Sequence, residues 1–237
     1  FEWGRNTFWA PEVIYDGSIY HMYCSYIRGV PYEWGHRSYI VHYTSKNLYS
    51  WKFESILDLG DKPVIDACVR KLPDGKWKMW FKQDSHTYTA LSDDLYSWEP
   101  TGLEVDGKGH EGPNVFTFKG YNWLIADCWN GQLVFRSDSY DNWELKNVIH
   151  DKPGKRTDDG FIGGHAHVVV CGERAYIYYF VHPERTPANR NEEWIHEDYR
   201  MKRSVIQVAE LEFDGDTLIC DRDASKPMLL VPDGQVY

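Results

Sequence analysis

Acidic and histidine side chains stand at the starts of several predicted strands, where they could carry acid–base chemistry. Asp66, Glu111 and His165 lie three or four residues before a strand valine, and Glu12 and His167 lie directly before one. Alternate residues of a strand share one face. We therefore expect the side chains of Asp66 and His165 to point to equivalent faces of their strands. Glu12 and His167 are expected beneath them on the same face.

Carboxylates that converge on one point are the groups that glycoside hydrolysis needs. One carboxylic acid protonates the leaving oxygen, and a second carboxylate activates water or attacks directly. Nearby negative charge raises the pKa of the acid, which keeps it protonated near neutral pH. Asp66 and Glu111 are the candidate catalytic pair. The alternative is that each carboxylate caps a loop or accepts hydrogen bonds from neighbouring backbone amides.

The aromatic content is unusually high, at 16% with 11 Trp and 17 Tyr. Trp and Tyr are large, rigid and amphipathic, so they suit positions where one face packs and an edge forms hydrogen bonds. Flat sugar rings are one target of such groups. Trp9 and Trp129 are candidate sugar platforms, and wedges between packed sheets are the alternative for both. Glu12, His165 and His167 are further candidate substrate-binding residues, and a structural, hydrogen-bonded role is the alternative for the two histidines.

A repeat of about 45 residues organises the elements that must position these side chains. Residues 44–51 (TSKNLYSW), 91–98 (LSDDLYSW) and 136–143 (RSDSYDNW) each place Ser six residues before Trp, and the Trp residues are 47 and 45 residues apart. A unit of this length with several strands is typical of a β-propeller blade.

Four hairpins begin the repeats, each with a short apolar strand, a turn and an aromatic-rich strand. Their turns contain Asp16-Gly17, Asp74-Gly75, Lys119-Gly120 and Gly172, and glycine takes positive φ without steric cost. The sequence predicts an all-β, five-bladed propeller with four recognisable blades, forming a single catalytic domain over 1–237. We expect the first blade to be missing upstream of Phe1 or completed by terminal strands. A four-bladed ring is the alternative.

Composition narrows the classes of partner. The net charge of −10 disfavours nucleic acid, because phosphate binding needs clustered Lys and Arg. The sequence has no run of 18 apolar residues, so no membrane span is expected. Five cysteines without a CxxC pair indicate free thiols and argue against a zinc site. No signal peptide is visible, and a secreted or periplasmic location is the expectation. The polar stretch 186–203 predicts a long loop with one helical turn.

Four segments together resemble the family 43 glycoside hydrolases of the five-bladed propeller superfamily. Residues 8–13 (FWAPEV) look like the opening of the second blade in that family, 65–69 (IDACV) like the third, 111–113 (EGP) like the fourth, and 164–169 (GHAHVV) like the fifth. The segments occur in the family's order and at blade spacing. The resemblance therefore covers nearly the whole chain.

The resemblance implies a glycosidase that inverts the anomeric centre by single displacement. It assigns Glu111 as the general acid and Asp66 as the carboxylate that orients the acid and modulates its pKa. It places His165 near the propeller axis, where a metal ligand or water contact is expected. No cofactor is required for catalysis, and a structural calcium ion near the axis is consistent with the family. The implied substrates are arabinofuranosyl, xylosyl or galactosyl linkages of plant or algal polysaccharides.

One departure concerns the general base. In the family this is an Asp of the first blade, but the chain contains no Asp before Asp16, which belongs to a turn. A missing first blade would explain this difference. Glu12 could serve instead, or the propeller is not a hydrolase of this type.

Rival interpretations place other activities on a similar propeller. Retaining family 32 enzymes hold their two carboxyl groups about 5–5.5 Å apart, whereas inverting enzymes hold them about 6.5–9.5 Å apart. A family 130-like phosphorylase would need a basic phosphate pocket, for which Arg185, Arg190 and His196 are the candidates. A non-catalytic glycan-binding propeller is a further alternative. A protein-interaction propeller is disfavoured, because it would use top-face loops rather than carboxylates at the axis.

Overall fold

The part of the chain that the structure describes forms four four-stranded sheets, in which neighbouring strands follow one another in chain order. A computed structural model describes residues 5–31, 35–186, 188–189 and 198–224. The first two sheets contain β1 Thr7–Tyr15, β2 Tyr20–Ile27, β3 Ser38–Ser45 and β4 Lys52–Ile56, then β5 Ile65–Lys71, β6 Trp77–Gln83, β7 His86–Ser92 and β8 Glu99–Val105. The last two contain β9 Glu111–Phe118, β10 Tyr121–Asp127, β11 Gln132–Ser137 and β12 Glu144–Ile149, then β13 Gly164–Cys171, β14 Arg174–Val181, β15 Val205–Phe213 and β16 Leu218–Ile219.

The predicted hairpin turns between the first two strands of each sheet are confirmed. Gly17, Gly75, Gly120 and Gly172 all have positive φ, between 58° and 107°. A side chain at such a position would be strained, which is why glycine recurs there. In the first turn, Asp16 Oδ1 also accepts the backbone amides of Ser18 and Ile19.

The Ser…Trp repeat has a local structural cause in the turn between the third and fourth strands. Ser45, Ser92 and Ser137 each end a third strand, and their hydroxyl oxygens accept backbone amides two residues further on. In the first two turns the same hydroxyl also accepts the amides of Leu48 and Leu95, which adopt φ of 63° and 67°. The repeat therefore encodes a hydroxyl-capped turn.

By their internal contacts the residues form two compact units, Phe1–Val115 and Phe116–Tyr237, with the boundary inside β9. Each unit has its own core. Tyr23, Ile40, Val69, Met79 and Phe81 are almost completely buried in the first unit. A second cluster fills the other unit, around Trp123, Ile125, Val134, Ile177 and Tyr179. The single catalytic domain over 1–237 stays a prediction.

A short helix, α1 Tyr199–Lys202, supplies the one helical turn predicted within 186–203. Its N-cap, Asp198, accepts a hydrogen bond from the amide of Arg200. Residues 187 and 190–197 of that stretch lie outside the described part of the chain. The five cysteines are free thiols, as expected. Among the described residues, no helix has the length and apolarity needed to cross a membrane.

A buried histidine pair lies in the first sheet. His21 and His42 are fully buried, with His21 Nδ1 2.9 Å from His42 Nε2. His21 Nε2 lies 3.2 Å from Asp16 Oδ2. Burial and the neighbouring His21 lower the pKa of His42 to about 4. His42 Nδ1 has no hydrogen-bond partner among the described residues, so a proton there would be unsatisfied.

We expect the free energy of unfolding to decrease as the pH falls from about 6.5 to about 4. In that pH range His42 is protonated in the unfolded chain but neutral in the folded chain. The difference between its pKa values in the two states corresponds to about 3 kcal/mol of unfolding free energy. His150, whose pKa burial lowers to about 3, adds to the effect in the same direction. Urea denaturation at pH 7.5, 5.5 and 4.5 measures it, with His42→Gln as the variant expected to flatten the dependence. Equal stability at all three pH values would contradict the prediction.

Candidate active site

The starts of the first strands are distorted, and the distortion controls where their side chains point. The strand register shifts between Trp9 and Glu12 in β1 and between Ile65 and Cys68 in β5, with a similar shift at the start of β13. Such β-bulges redirect side chains. The expectation that the positions three and one before the strand valine share a face is therefore wrong across these bulges.

Asp66 lies within the β5 bulge and is almost completely buried, with 3% of its surface exposed. Its φ of 59° is unusual for a residue other than glycine, and aspartate is among the side chains that tolerate it best. Its amide donates to Ser25 Oγ at 2.9 Å. Its Oδ2 accepts the amide of Gly112 at 3.2 Å. The Asp66 carboxylate therefore holds the backbone directly after Glu111.

Glu111 begins β9 and remains accessible, with 26% of its side chain exposed. Its Oε2 lies 3.4 Å from Nζ of Lys82. Lys82 is near the end of β6 and pairs with Ile65 of β5 in the strand register. Lys82 is itself 23% exposed. Lys82 was not among the site residues predicted from the sequence. The sequence signal that could have identified Lys82 is its position at the end of a buried aromatic strand, WKMWFKQ.

His110 anchors the chain that leads into Glu111. Its side chain is fully buried, and its amide donates to Ser85 O at 2.8 Å. Nδ1 lies 2.8 Å from Lys108 O, and Nε2 lies 2.8 Å from Thr87 Oγ1. Because a carbonyl only accepts, Nδ1 must carry the proton and Nε2 accepts from the hydroxyl. Burial lowers the pKa of His110, which is consistent with this neutral ring.

Glu12 is buried and braces the strand starts around the two carboxylates. Its Oε1 accepts the amide of Val69 at 3.1 Å and Nη1 of Arg70 at 2.8 Å. Nε of Arg70 in turn donates to Val115 O at 2.7 Å. These bonds tie β1, β5 and β9 together. An ion pair to Arg70 and an amide donor occupy Glu12, so a role for it as base or sugar ligand has no support in these contacts.

Replacing Glu12 with Gln should lower the free energy of unfolding by about 2–3 kcal/mol. The change keeps the shape but leaves the half-buried Arg70 guanidinium without its counter-charge, and breaking a buried pair is costly. Chemical denaturation measures the change. Glu144→Gln is the matched control, because Glu144 is 64% exposed beside Lys146 and such pairs contribute little. A loss below about 0.5 kcal/mol for Glu12→Gln would refute the bracing role.

In the second unit, Asp127 organises two of the predicted binding residues. It ends β10 with 4% of its surface exposed. Oδ2 accepts the amide of His165 at 2.6 Å, and Oδ1 accepts the amide of Trp129 at 2.7 Å. Trp129 has φ of 57° and is 43% exposed. An exposed indole ring on a residue with an unfavourable backbone conformation is more typical of a binding surface than of a ring wedged in a packed core.

The remaining predicted residues have different environments. Trp9 is half-buried in β1, and its carbonyl accepts a hydrogen bond from Cys24 Sγ at 3.2 Å. His165 is half-buried, whereas His167 is exposed on β13. Glu12 and His167 were expected in equivalent places beneath Asp66 and His165. The structure buries one and exposes the other, because each strand has its own bulge and neighbours.

No group of three or more His, Cys, Asp or Glu side chains within the described ranges is arranged to hold a metal ion. The metal role of His165 stays a prediction. Arg185 donates from Nε to Met201 O at 2.9 Å, and burial lowers the pKa of its guanidinium. Arg190 and His196, its partners in the suggested phosphate pocket, lie outside the described residues.

Comparison with known proteins gives a fold but no sequence family. No protein-family model matches the chain, and no curated protein matches it. Solved structures do. An exo-1,5-alpha-L-arabinanase from a bovine ruminal metagenomic library is 17% identical with a TM-score of 0.64, over 90% of this chain and 77% of that one. A thermostable family-43 glycoside hydrolase is 20% identical with a TM-score of 0.64, over 94% and 77%.

A fructofuranosidase from Schwanniomyces occidentalis, solved with fructosylnystose, is also similar. It is 16% identical with a TM-score of 0.68, over 90% of this chain and 45% of that one. At these identities the likeness establishes the fold, and it confirms the all-β propeller with its four recognisable blades. The resemblance indicated by the four ordered segments is confirmed at the same level: the chain has the β-propeller fold of the family 43-like glycoside hydrolases.

Proposed function

We propose that the protein is a glycoside hydrolase in which Glu111 is the general acid and Asp66 positions it. The observation that carries the proposal is the hydrogen bond from the Gly112 amide to Asp66 Oδ2. It joins the two motif carboxylates through the residue that follows Glu111. Glu111 is accessible enough to meet a sugar oxygen, whereas Asp66 is buried and acts through the backbone.

The surroundings of Glu111 support an acid that is held before substrate arrives. His110 fixes the backbone before Glu111 through the turn at Ser85 and through Thr87, and Asp66 fixes it after Glu111. A general acid must lie within hydrogen-bond reach of the oxygen it protonates, and a preorganised backbone reduces the freedom lost on binding. Nothing in these contacts requires the acid to move before reaction.

We assign the water-activating base to a carboxylate other than Asp66, Glu111 and Glu12. Asp66 is occupied by the Gly112 amide, and Glu12 is occupied by Arg70 and the Val69 amide. We propose single displacement with inversion, in line with the resemblance. Proton NMR of the first-formed anomer tests the stereochemistry, and net retention would reject this mechanism while leaving Glu111 as acid.

The proposed substrates are arabinofuranosyl, xylosyl or galactosyl linkages of plant or algal polysaccharides. Support comes from the similar folds of enzymes named as arabinanases and xylosidases. In the second unit, the exposed Trp129 ring offers an apolar face for a sugar. We propose Trp129, Trp9 and His165 as sugar-binding residues.

A panel of arabinan, xylan, galactan and their oligosaccharides tests the function, with wild type and Glu111→Gln assayed side by side. Release of a sugar by wild type alone supports the proposal and identifies the linkage. Equal release by both proteins would reject Glu111 as the acid. Sugar binding without turnover at any pH would favour a non-catalytic glycan-binding propeller.

A further inference from the structure

Lys82 differs in its partner from two other cations of the first unit, the buried Lys78 and the half-buried Arg70. Lys78, on the same strand, lies 2.9 Å from Glu104 Oε1, and Arg70 makes several hydrogen bonds. Within the described ranges, the partner of Lys82 is Glu111 at 3.4 Å, the side chain proposed as the acid. Both members of this pair are about a quarter exposed, so both face a space that solvent or a ligand can enter.

The acid role creates a charge imbalance at this pair. A general acid reacts in its protonated, neutral form. When Glu111 is neutral, the Lys82 ammonium loses its counter-charge while three-quarters of its side chain remains covered. A cation that is partly removed from water and unpaired is unfavourable. A negative group brought in by the ligand would restore the balance, and Lys82 is positioned to receive it next to the acid.

The geometry points to an acidic-sugar site: Lys82 pairs with a carboxylate carried by a sugar bound at Glu111, so the preferred ligands contain uronic acid. This inference rests on the proposed function, because it is the neutral form of Glu111 that frees the ammonium. Free phosphate has the same charge chemistry, and its binding is an alternative that the experiment separates. The carboxylate selects the ligand here and takes no part in bond cleavage.

Binding without turnover tests the inference, with isothermal titration calorimetry at pH 7. Matched ligands are trigalacturonic acid against galactotriose, and glucuronosyl-xylobiose against xylotriose. Glu111→Gln imitates the neutral acid and should bind the acidic member of at least one pair about ten-fold more tightly than wild type does, since the Lys82 ammonium is released from its ion pair with Glu111 and can pair with the ligand carboxylate. The neutral members should be unaffected. Adding Lys82→Met should remove the gain.

Glu104→Gln is the matched control, because it removes a carboxylate beside Lys78 on the same strand and should leave the preference unchanged. An unchanged ratio of acidic to neutral affinity in Glu111→Gln would overturn the inference. So would a gain that survives Lys82→Met. Inorganic phosphate is titrated in parallel, and Lys82-dependent phosphate binding with phosphate-dependent release of a sugar phosphate would also overturn it.

The inference and the proposed function fail in different ways. A protein that hydrolyses nothing but keeps the Lys82-dependent preference would contradict the hydrolase and support the acidic-sugar site. Hydrolysis of neutral oligosaccharides, with no preference for acidic ones in any variant, would contradict the acidic-sugar site alone. Circular dichroism of each variant establishes that the fold is intact before affinities are compared.

Discussion

Glu111→Gln is expected to slow hydrolysis of glycosides with poor leaving groups by about 10²–10⁴-fold. Glutamine keeps the size of the side chain but cannot transfer a proton to the departing oxygen. An aryl glycoside whose leaving group departs without protonation, such as a dinitrophenyl glycoside, should lose far less. The measurement is kcat/KM on two glycosides of the same sugar, one with each kind of leaving group.

The ratio between the two substrates distinguishes acid catalysis from general damage. Glu104→Gln removes a carboxylate paired with Lys78 in the same unit and should leave both rates close to those of wild type. Glu104→Gln should have the lower denaturation midpoint of the two, because it leaves the buried Lys78 ammonium without its counter-charge, so the rates are compared at a temperature where both variants are folded. Equal losses on both substrates would mean that Glu111 binds sugar or supports the fold, and that the proton comes from another group.

Asp66→Asn is expected to reduce kcat on the same poor substrate by about 10²-fold, because a neutral amide accepts the Gly112 hydrogen bond more weakly than a carboxylate does and a slightly misplaced reacting group loses activity on this scale. Asparagine tolerates the φ of 59° at this position, and its carbonyl can still accept the Gly112 amide. The variant therefore removes the buried negative charge while the backbone bond is kept. Asp66→Ala removes both and should be slower and less stable.

The leaving-group comparison also tests how Asp66 acts. If Asp66 works through Glu111, Asp66→Asn should slow the poor substrate more than the activated one. Asp94→Asn is the control, because Asp94 Oδ1 accepts the backbone amides of Tyr96 and Ser97 in the exposed turn between β7 and β8. Activity of Asp66→Asn within two-fold of wild type on both substrates would show that the charge of Asp66 is dispensable.

Local sequence was sufficient for the architecture because the contacts that encode it are local. The hydroxyl of Ser45 caps a turn two and three residues away, and Ser92 does the same one repeat later. Gly17 and Gly75 take the backbone angles that a hairpin turn needs. These interactions recur with the period of the chain, so strands, turns and sheet number can be predicted without knowing any distant contact.

The environment of the candidate site depends on residues far apart in the chain. Asp66 meets the amide of Gly112 across 46 positions, and Arg70 meets the carbonyl of Val115 across 45. The sequence identified Asp66 and Glu111 as candidates but placed Glu12 beside them as a possible base. The structure shows Glu12 bound to Arg70 instead. A side chain's free or occupied state is decided by partners that periodicity does not reveal.

What the sequence determined by itself is the repeat, the turns, the all-β blades and the two carboxylates at strand starts. Only the tertiary structure decided which way those side chains point, because a bulge of one residue in β5 cancels the alternation on which the sequence argument depended. It also decided that Lys82 faces Glu111 and that Asp127 holds the amides of Trp129 and His165. Charge and hydrogen bonding act over a few ångströms in space, and the distance along the chain has no bearing on them.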